Sequence, residues 1–231
     1  MKTHEPRRSR PLWFLAAAML PLLLTATPAP EVFTQTFEDA SSDDTWQNVS
    51  QRGKPGIRIL DDGKPALRIN NHVIGHALPK TLKKSFSIEV ETLHSEAGAL
   101  LWFGLFDSTL GKGYIVSWSL PPANNAAGSF SIRMVNNVAA GEKPEILLRN
   151  QDRTPQSKVL GADRVPSPRP ALQTPPARLK LTWEKATGQL MLECDGQVLA
   201  KTEDSELDSF ENVLLSGNRF SIYRSVRITG E

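Results

Sequence analysis

Apolar and polar residues alternate along most of the chain beyond residue 30, as they do in β-strands with one buried and one solvated face. Phe86 to Glu91 and Leu179 to Glu184 show this pattern most clearly. Leu100 to Phe106 is apolar throughout and predicts a central strand that is buried on both faces. Helical periodicity is almost absent, and only Ser205 to Phe210 could form a helical turn. The pattern therefore predicts an all-β protein.

Turn signals separate the strands. Asp-Gly steps occur at Asp62-Gly63 and at Asp195-Gly196, and they favour tight hairpins because both central residues of such turns adopt a positive φ. The segments from Val32 to Phe37 and from Phe220 to Ile228 also alternate, and they are predicted to pair with each other. Roughly a dozen short strands with turns every eight to twelve residues indicate a two-sheet antiparallel sandwich of the jelly-roll type.

The range from about residue 150 to 177 interrupts the alternation. It contains six prolines, at Pro155, Pro166, Pro168, Pro170, Pro175 and Pro176. Proline has no N–H to donate to a sheet ladder, so this range is predicted to be a long surface loop outside the sheets. Loops of this length are often functional or only partly ordered.

The first 26 residues have the composition of a secretory signal peptide. Four basic residues precede an apolar run of about 13 residues, and small residues follow it up to a cleavage position after Ala26. The run is shorter than the roughly 20 residues of a membrane span. We therefore predict an exported protein, periplasmic or extracellular, with one domain over residues 27–231 and no membrane span after cleavage.

Charge and cysteine content narrow the possible functions. The full chain of 231 residues has 27 Lys and Arg against 25 Asp and Glu, a net charge of +2. The leader contains four basic residues and one acid, so residues 27–231 have 23 and 24 and a net charge of −1. This balance, without a basic cluster, excludes nucleic acid as a partner. The single cysteine, Cys194, allows no intramolecular disulfide and is predicted to be a buried, inert thiol.

Four sequence features occur in the order found in a known superfamily. An early strand from Phe33 to Asp39 leads toward Trp46; a central pair follows at Gly98–Leu105 and Gly113–Trp118; a late hairpin spans Leu179–Trp183 and Gly188–Ala200; and a last strand covers Phe220–Ile228. Residues 31 to 230 thereby resemble the concanavalin A-like lectin/glucanase superfamily, in its laminin G-like bacterial branch. The resemblance implies a two-sheet jelly roll with a concave face. It also implies functions that range from sugar binding to glycan hydrolysis.

The hydrolases of this superfamily carry a Glu-x-Asp-x-x-Glu pattern on one strand, and the nearest match here is Glu89-Val90-Glu91. Period two places both acids on one face with Cα atoms roughly 6.5–7 Å apart, and a retaining glycosidase needs two carboxyls about 5–5.5 Å apart. However, Glu91 stands where the family has Asp, and His94 stands where it has the last Glu. A solvated strand face is therefore the simplest interpretation, with ligand binding or catalysis as the alternatives.

Metal binding has two weak signals. His72 and His76 have a spacing that would suit zinc on a helix, but the residues between them favour a strand or turn, and no third ligand is evident. Asp43 and Asp44 could bind calcium, as many relatives do, or could form a polar turn. No metal or other cofactor is predicted beyond that calcium alternative.

Sugar recognition generally combines an aromatic ring with polar groups around it. Trp118, Trp183, Tyr114 and Trp102 are predicted to belong to the core, which leaves Trp46 as the aromatic residue least committed to a strand face. The other predicted ligand-binding residues are polar side chains expected to line one wetted face, namely Glu89, Glu91, Ser117, Ser119, Arg133 and Thr182.

The sequence therefore favours an exported protein that binds a glycan or glycoconjugate along the concave face without chemistry. A glycan hydrolase that uses Glu89 and Glu91 is one alternative. A non-catalytic envelope protein that binds another protein through the proline-rich loop is the other.

Overall fold

Two antiparallel sheets form the fold of the protein. A computed structural model describes residues 29–38, 45–49, 56–59, 63–93, 99–119, 128–136, 157–164, 176–219 and 221–231. These residues form fifteen strands: β1 Glu31–Thr36, β2 Gln47–Asn48, β3 Gly56–Ile59, β4 Pro65–Ile69, β5 His72–Leu82, β6 Ser85–Leu93, β7 Leu100–Phe106, β8 Gly113–Ser119, β9 Ser129–Val135, β10 Ser157–Arg164, β11 Ala177–Glu184, β12 Gln189–Cys194, β13 Gln197–Glu203, β14 Phe210–Gly217 and β15 Ser221–Gly230. The predicted all-β class is confirmed.

Each sheet has one continuous strand order. The first sheet runs β13-β12-β11-β6-β15-β4-β3, with β1 paired to β15, and the second runs β10-β9-β8-β7-β14-β5-β2. The inner faces of both sheets meet in one large apolar cluster, which takes Ile88 and Val90 from β6 and Leu101, Phe103 and Leu105 from β7. The packing of sheet on sheet explains the alternation of the sequence, because each strand presents every second residue to this core.

The last strand holds the first sheet together. Along one side, β15 pairs with β6 over nearly its whole length. Along its other side, Ser221 to Tyr223 pair with β4, and the remaining part, Ser225 to Thr229, pairs with β1. The predicted pairing between the early strand and the last strand is confirmed. It makes β1, the first described strand, a member of the same sheet as β15.

The strands on either side of each Asp-Gly step pair with each other, and the second step forms the predicted two-residue turn. Strand β3 pairs with β4 across the first, and β12 pairs with β13 across the second, where Asp195 and Gly196 have φ values of 51° and 81°. Cys194, which precedes this turn, is buried in the core, as predicted.

Two predictions about local structure are wrong. Ser205 to Ser209 form no helical turn, because the chain there crosses between sheets in an irregular conformation and begins β14 at Phe210. The range 150–177 is not wholly outside the sheets, because Ser157–Arg164 pairs with β9 as the edge strand of the second sheet. Prolines flank this strand but none occurs inside it, so its backbone donors are available to the ladder.

The centre of the second sheet leaves no space for a side chain at Gly104. A Cβ added there would collide with the carbonyl oxygen of Tyr114 on β8 and would lie 2.8 Å from Cγ2 of Ile115. We expect Gly104→Ala to lower the free energy of unfolding by about 1–3 kcal/mol through overpacking. Gly161→Ala on β10 is the control, because its Cβ would meet only the Thr202 Cβ at 3.9 Å, and its unfolding energy should change by at most about 0.5 kcal/mol in urea titrations. Equal losses in both variants would contradict this explanation.

Within the described ranges, no helix is long and apolar enough to cross a membrane. The predicted leader, the calcium candidates Asp43 and Asp44, and His94 lie outside the described residues.

Candidate functional site

A row of alternating charges crosses the outer face of the first sheet. Glu89 on β6 lies directly across from Lys180 on β11 and from Arg227 on β15. Beyond these two cations, the row ends in an acid on each side. Nζ of Lys180 is 3.7 Å from a carboxylate oxygen of Glu193, and Nε of Arg227 donates to Glu31 over 2.9 Å.

A row of hydroxyl groups runs beside the charged row. Ser87 on β6 is in register with Thr182 on β11 and with Thr229 on β15, so three hydroxyls from three adjacent strands share the outer face. Of these, only the Thr182 hydroxyl makes a hydrogen bond within the described structure, donating to the carbonyl of Met191 over a long 3.4 Å. The other two hydroxyls are therefore available to a ligand.

The hydroxyl row and the three central residues of the charged row form the floor of a groove with a volume of about 540 Å³. Its lining consists mainly of polar side chains from four strands: Ser85, Ser87, Glu89, Lys180, Thr182, Glu184, Gln189, Arg227 and Thr229, with Ala29, Phe86 and Trp183. The rings of Phe86 and Trp183 belong to the core and are 2% and 1% exposed. The groove therefore offers hydrogen-bonding groups and charges, and no exposed aromatic surface.

Glu91, the second acid of the predicted pair, lies outside this groove. It is in register with Arg178 on β11 and Ser225 on β15, one repeat further along β6 than Glu89. Glu89 and Glu91 share the outer face of the strand, as their spacing predicts, but only Glu89 lines the groove.

The outer face of the second sheet carries a different set of residues. Trp102 on β7 is in register with Ser117 on β8, which is in register with Ser131 on β9. Nε of Arg133, two residues along β9, donates to the Ser131 hydroxyl over 3.1 Å, and its Nη1 donates to the hydroxyl of Ser157 over 3.3 Å. An indole, two hydroxyls and a guanidinium thus lie on three neighbouring strands.

This second face is covered. Trp102, Ser117 and Arg133 are 0%, 5% and 3% exposed, and Trp102 belongs to an apolar cluster separate from the main core, together with Ile115 and Leu214. Among the described residues, the Trp102 indole N–H and the Ser117 hydroxyl have no hydrogen-bond partner. The residues have the chemistry of a sugar site, but no groove reaches them in the described part of the chain.

The polar row predicted from the sequence is therefore divided between two opposite faces. Glu89, Glu91 and Thr182 lie on the outer face of the first sheet, whereas Ser117, Ser119 and Arg133 lie on that of the second. Period two shows which residues of one strand share a face, but it does not show which strands share a sheet. The burial of Ser117 and Arg133 also contradicts the expectation of a wetted face.

Trp46 is a core residue and not an exposed ligand platform. It is 6% exposed and packs against Phe37 and Phe33, with ring centroids 5.8 Å and 6.1 Å away. His76 on β5 joins the same cluster, 5.5 Å from the Trp46 ring and 4.6 Å from Phe33. His72 lies on the same strand, in agreement with the strand-or-turn prediction, and no group of three or more His, Cys, Asp or Glu side chains is placed to hold a metal among the described residues.

Solved structures with a similar fold include two binding modules and a glucanase. The chain matches the CBM2 module of an evolved Dit protein of Lactobacillus casei BL23 phage J-1 with a TM-score of 0.59 and 13% identity, over 86% of this chain and 94% of that one. For the carbohydrate-binding module CBM66 from Bacillus subtilis, the TM-score is 0.51 at 13% identity, over 80% and 96%. For the Bacillus licheniformis β-glucanase, it is 0.51 at 10% identity, over 87% and 99%.

The fold is a two-sheet antiparallel jelly roll. This confirms the predicted architecture. At sequence identities of 10–13%, the similarity to these structures concerns the fold alone. No family model and no curated protein matches the chain.

Proposed function

We propose that this protein is an exported carbohydrate-binding protein that holds a glycan in the groove over Glu89 and does not cleave it. The order of sequence motifs supports the narrower placement in the laminin G-like branch, and the leader-like first 26 residues support export. Matches to two carbohydrate-binding modules of the same fold support the ligand class.

The observation that carries the proposal is the hydroxyl row beside the charged row on the floor of the groove. Hydroxyls both donate and accept hydrogen bonds, carboxylates accept and ammonium groups donate. A glycan presents hydroxyl groups that need both kinds of partner. The adjoining rows of Ser87, Thr182 and Thr229 and of Glu89 and Lys180 supply both within one groove.

The carboxylates favour binding over hydrolysis. A glycosidase needs two carboxyls in one site, about 5–5.5 Å or about 6.5–9.5 Å apart. Glu91 lies outside the groove, and Glu184, the other acid that lines it, is in register with Ser85, four residues from Glu89. Four residues of strand span about 13 Å, which is longer than either catalytic spacing.

Deleting residues 151–174, which would address the third interpretation, protein binding through the proline-rich range, would also change the second sheet. That deletion would remove β10, whose Lys158 pairs with Asp204 over 3.4 Å and with Glu206 over 3.1 Å. The second sheet would lose its edge strand together with any interaction site.

Binding to a glycan array followed by calorimetry tests the proposed function. Because a net hydrogen bond contributes about 0.5–1.5 kcal/mol, Thr182→Ala and Ser87→Ala should each weaken binding of the best glycan about twofold to tenfold. Glu91→Gln, outside the groove, should leave affinity unchanged, and no new reducing ends should form with any variant.

Two outcomes would contradict the proposal. If no glycan binds the wild-type protein, the carbohydrate function is wrong. If Ser117→Ala abolishes binding and Thr182→Ala does not, the glycan binds the opposite face of the sandwich, beside Trp102.

A further inference from the structure

The charged row on the first sheet contains one more carboxylate than it contains cationic side chains. It consists of Glu31, Arg227, Glu89, Lys180 and Glu193, which is three carboxylates and two cations. Arg227 is paired with Glu31, and Lys180 is paired with Glu193. The central carboxylate is thus the unmatched one.

Glu89 makes no hydrogen bond or ion pair within the described structure, although a cation stands across from it on each side. The side chain is half-buried on the floor of the groove. A carboxylate that has lost part of its hydration and has no partner is unfavourable, and a cationic group brought by a ligand would restore that interaction.

We infer that the ligand of this groove is an amino sugar with a free primary ammonium group, bound with its nitrogen on Glu89. This inference rests on the proposed carbohydrate function and names the class of glycan. An ammonium group suits the site because it is a compact charge with three donors, and it can contact the Glu89 carboxylate without displacing Lys180 or Arg227 from their acids.

The hydroxyl row accounts for the rest of the ligand. Ser87 lies two residues along β6 from Glu89, about 6.7 Å away, and it is flanked by Thr182 and Thr229. One pyranose ring bridges that distance, with its amino group on the carboxylate and its hydroxyls on the three side-chain hydroxyls. A cationic peptide would satisfy Glu89 but would leave this hydroxyl row unused.

The test compares a chitosan oligosaccharide with its fully N-acetylated counterpart of equal length, at a mildly acidic pH at which the free amines are protonated. Acetylation removes the charge and keeps the ring hydroxyls. Hydrogen bonds to charged groups contribute about 1.5–3 kcal/mol, so the wild-type protein should bind the chitosan oligosaccharide about 10- to 100-fold more tightly, and added salt should reduce the preference.

Glu89→Gln should remove the preference, because the amide keeps the shape of the side chain and loses its charge. Glu91→Gln is the matched control on the same face of the same strand, and it should keep the full preference. Thermal unfolding of both variants checks that the fold is intact.

The outcomes separate this inference from the proposed function. Equal binding of the two oligosaccharides by the wild-type protein, with Thr182→Ala still weakening both, would overturn the amino-sugar inference and leave glycan binding in place. A preference for the chitosan oligosaccharide that survives Glu89→Gln would also overturn it. Absence of binding to any glycan would overturn both.

Discussion

Raising the pH above about 10 should lower the free energy of unfolding steeply, because both tyrosines of this protein ionise only in the unfolded state. The chain has two tyrosines, and both are fully buried. Burial, a hydrogen bond to Asp204 and the charge of that residue raise the pKa of Tyr114. Burial raises the pKa of Tyr223, whose hydroxyl donates to the carbonyl oxygens of Trp102 and Ser216.

The direction of these pKa shifts determines how the stability of the protein changes with pH. A group with a raised pKa in the folded protein keeps its full stabilisation below the unfolded pKa, here about 10, and loses it as the pH rises toward the folded value. Each tyrosine lowers the free energy of unfolding by about 1.4 kcal/mol per pH unit in that window, so both together lower it by about 2.7 kcal/mol per unit.

Urea titrations at several alkaline pH values, with tyrosinate absorbance recorded in parallel, measure this effect. Tyrosinate should appear together with unfolding and not before it. Tyr223→Phe removes one of the two ionisations and should reduce the tyrosine part of the slope by half, although it also costs about 1 kcal/mol at neutral pH through a lost hydrogen bond. Tyrosinate absorbance at pH 10 in a protein that is still folded would contradict the prediction.

Trp183→Ala should lower the free energy of unfolding by about 3–5 kcal/mol, the cost of removing a large buried aromatic side chain. The Trp183 ring stacks on Phe86 with centroids 5.6 Å apart and meets Phe210 edge-on at 5.1 Å. Tyr114 contacts the same group, 5.6 Å from Phe210. The four rings come from β6 and β11 of the first sheet and β8 and β14 of the second, so the substitution opens a cavity between the sheets.

Trp183→Phe is the matched control for this prediction. The indole N–H of Trp183 is buried and has no acceptor among the described residues, so a phenyl ring keeps most of the packing and removes an unpaired donor. We expect a loss of about 1–2 kcal/mol, clearly smaller than for alanine. Chemical denaturation measures the free energy of unfolding of both variants and of Val198→Ala, a substitution at an exposed site on β13. Similar losses for Trp183→Ala and Val198→Ala would show that the ring cluster contributes little to stability.

The sequence predicted the faces of single strands well. In β6 and β11, every second residue is buried as the alternation requires, and the Asp195-Gly196 turn has the expected positive φ values. These features depend on residues within one strand or one turn, and local spacing determines them.

The candidate site could not be predicted in the same way. Glu89, Lys180 and Arg227 come from three distant parts of the chain, and only the sheet order brings them into one row. Trp102 is fully buried, as predicted, but it packs in an apolar cluster separate from the main core. It lies in an uninterrupted apolar run, and in such a run the sequence does not show which residues face away from the main core.

The position of β15 has a consequence for how the protein is made. This strand separates β6 from β4 and also pairs with β1, yet it is synthesised after the other fourteen strands of the described structure. Until then β1 and β6 have no strand to join them, and the first sheet cannot close. Folding that depends on such distant pairings is slow, so the first sheet should close only after β15 has been synthesised, and β1 and β6 should stay unpaired along these edges until then.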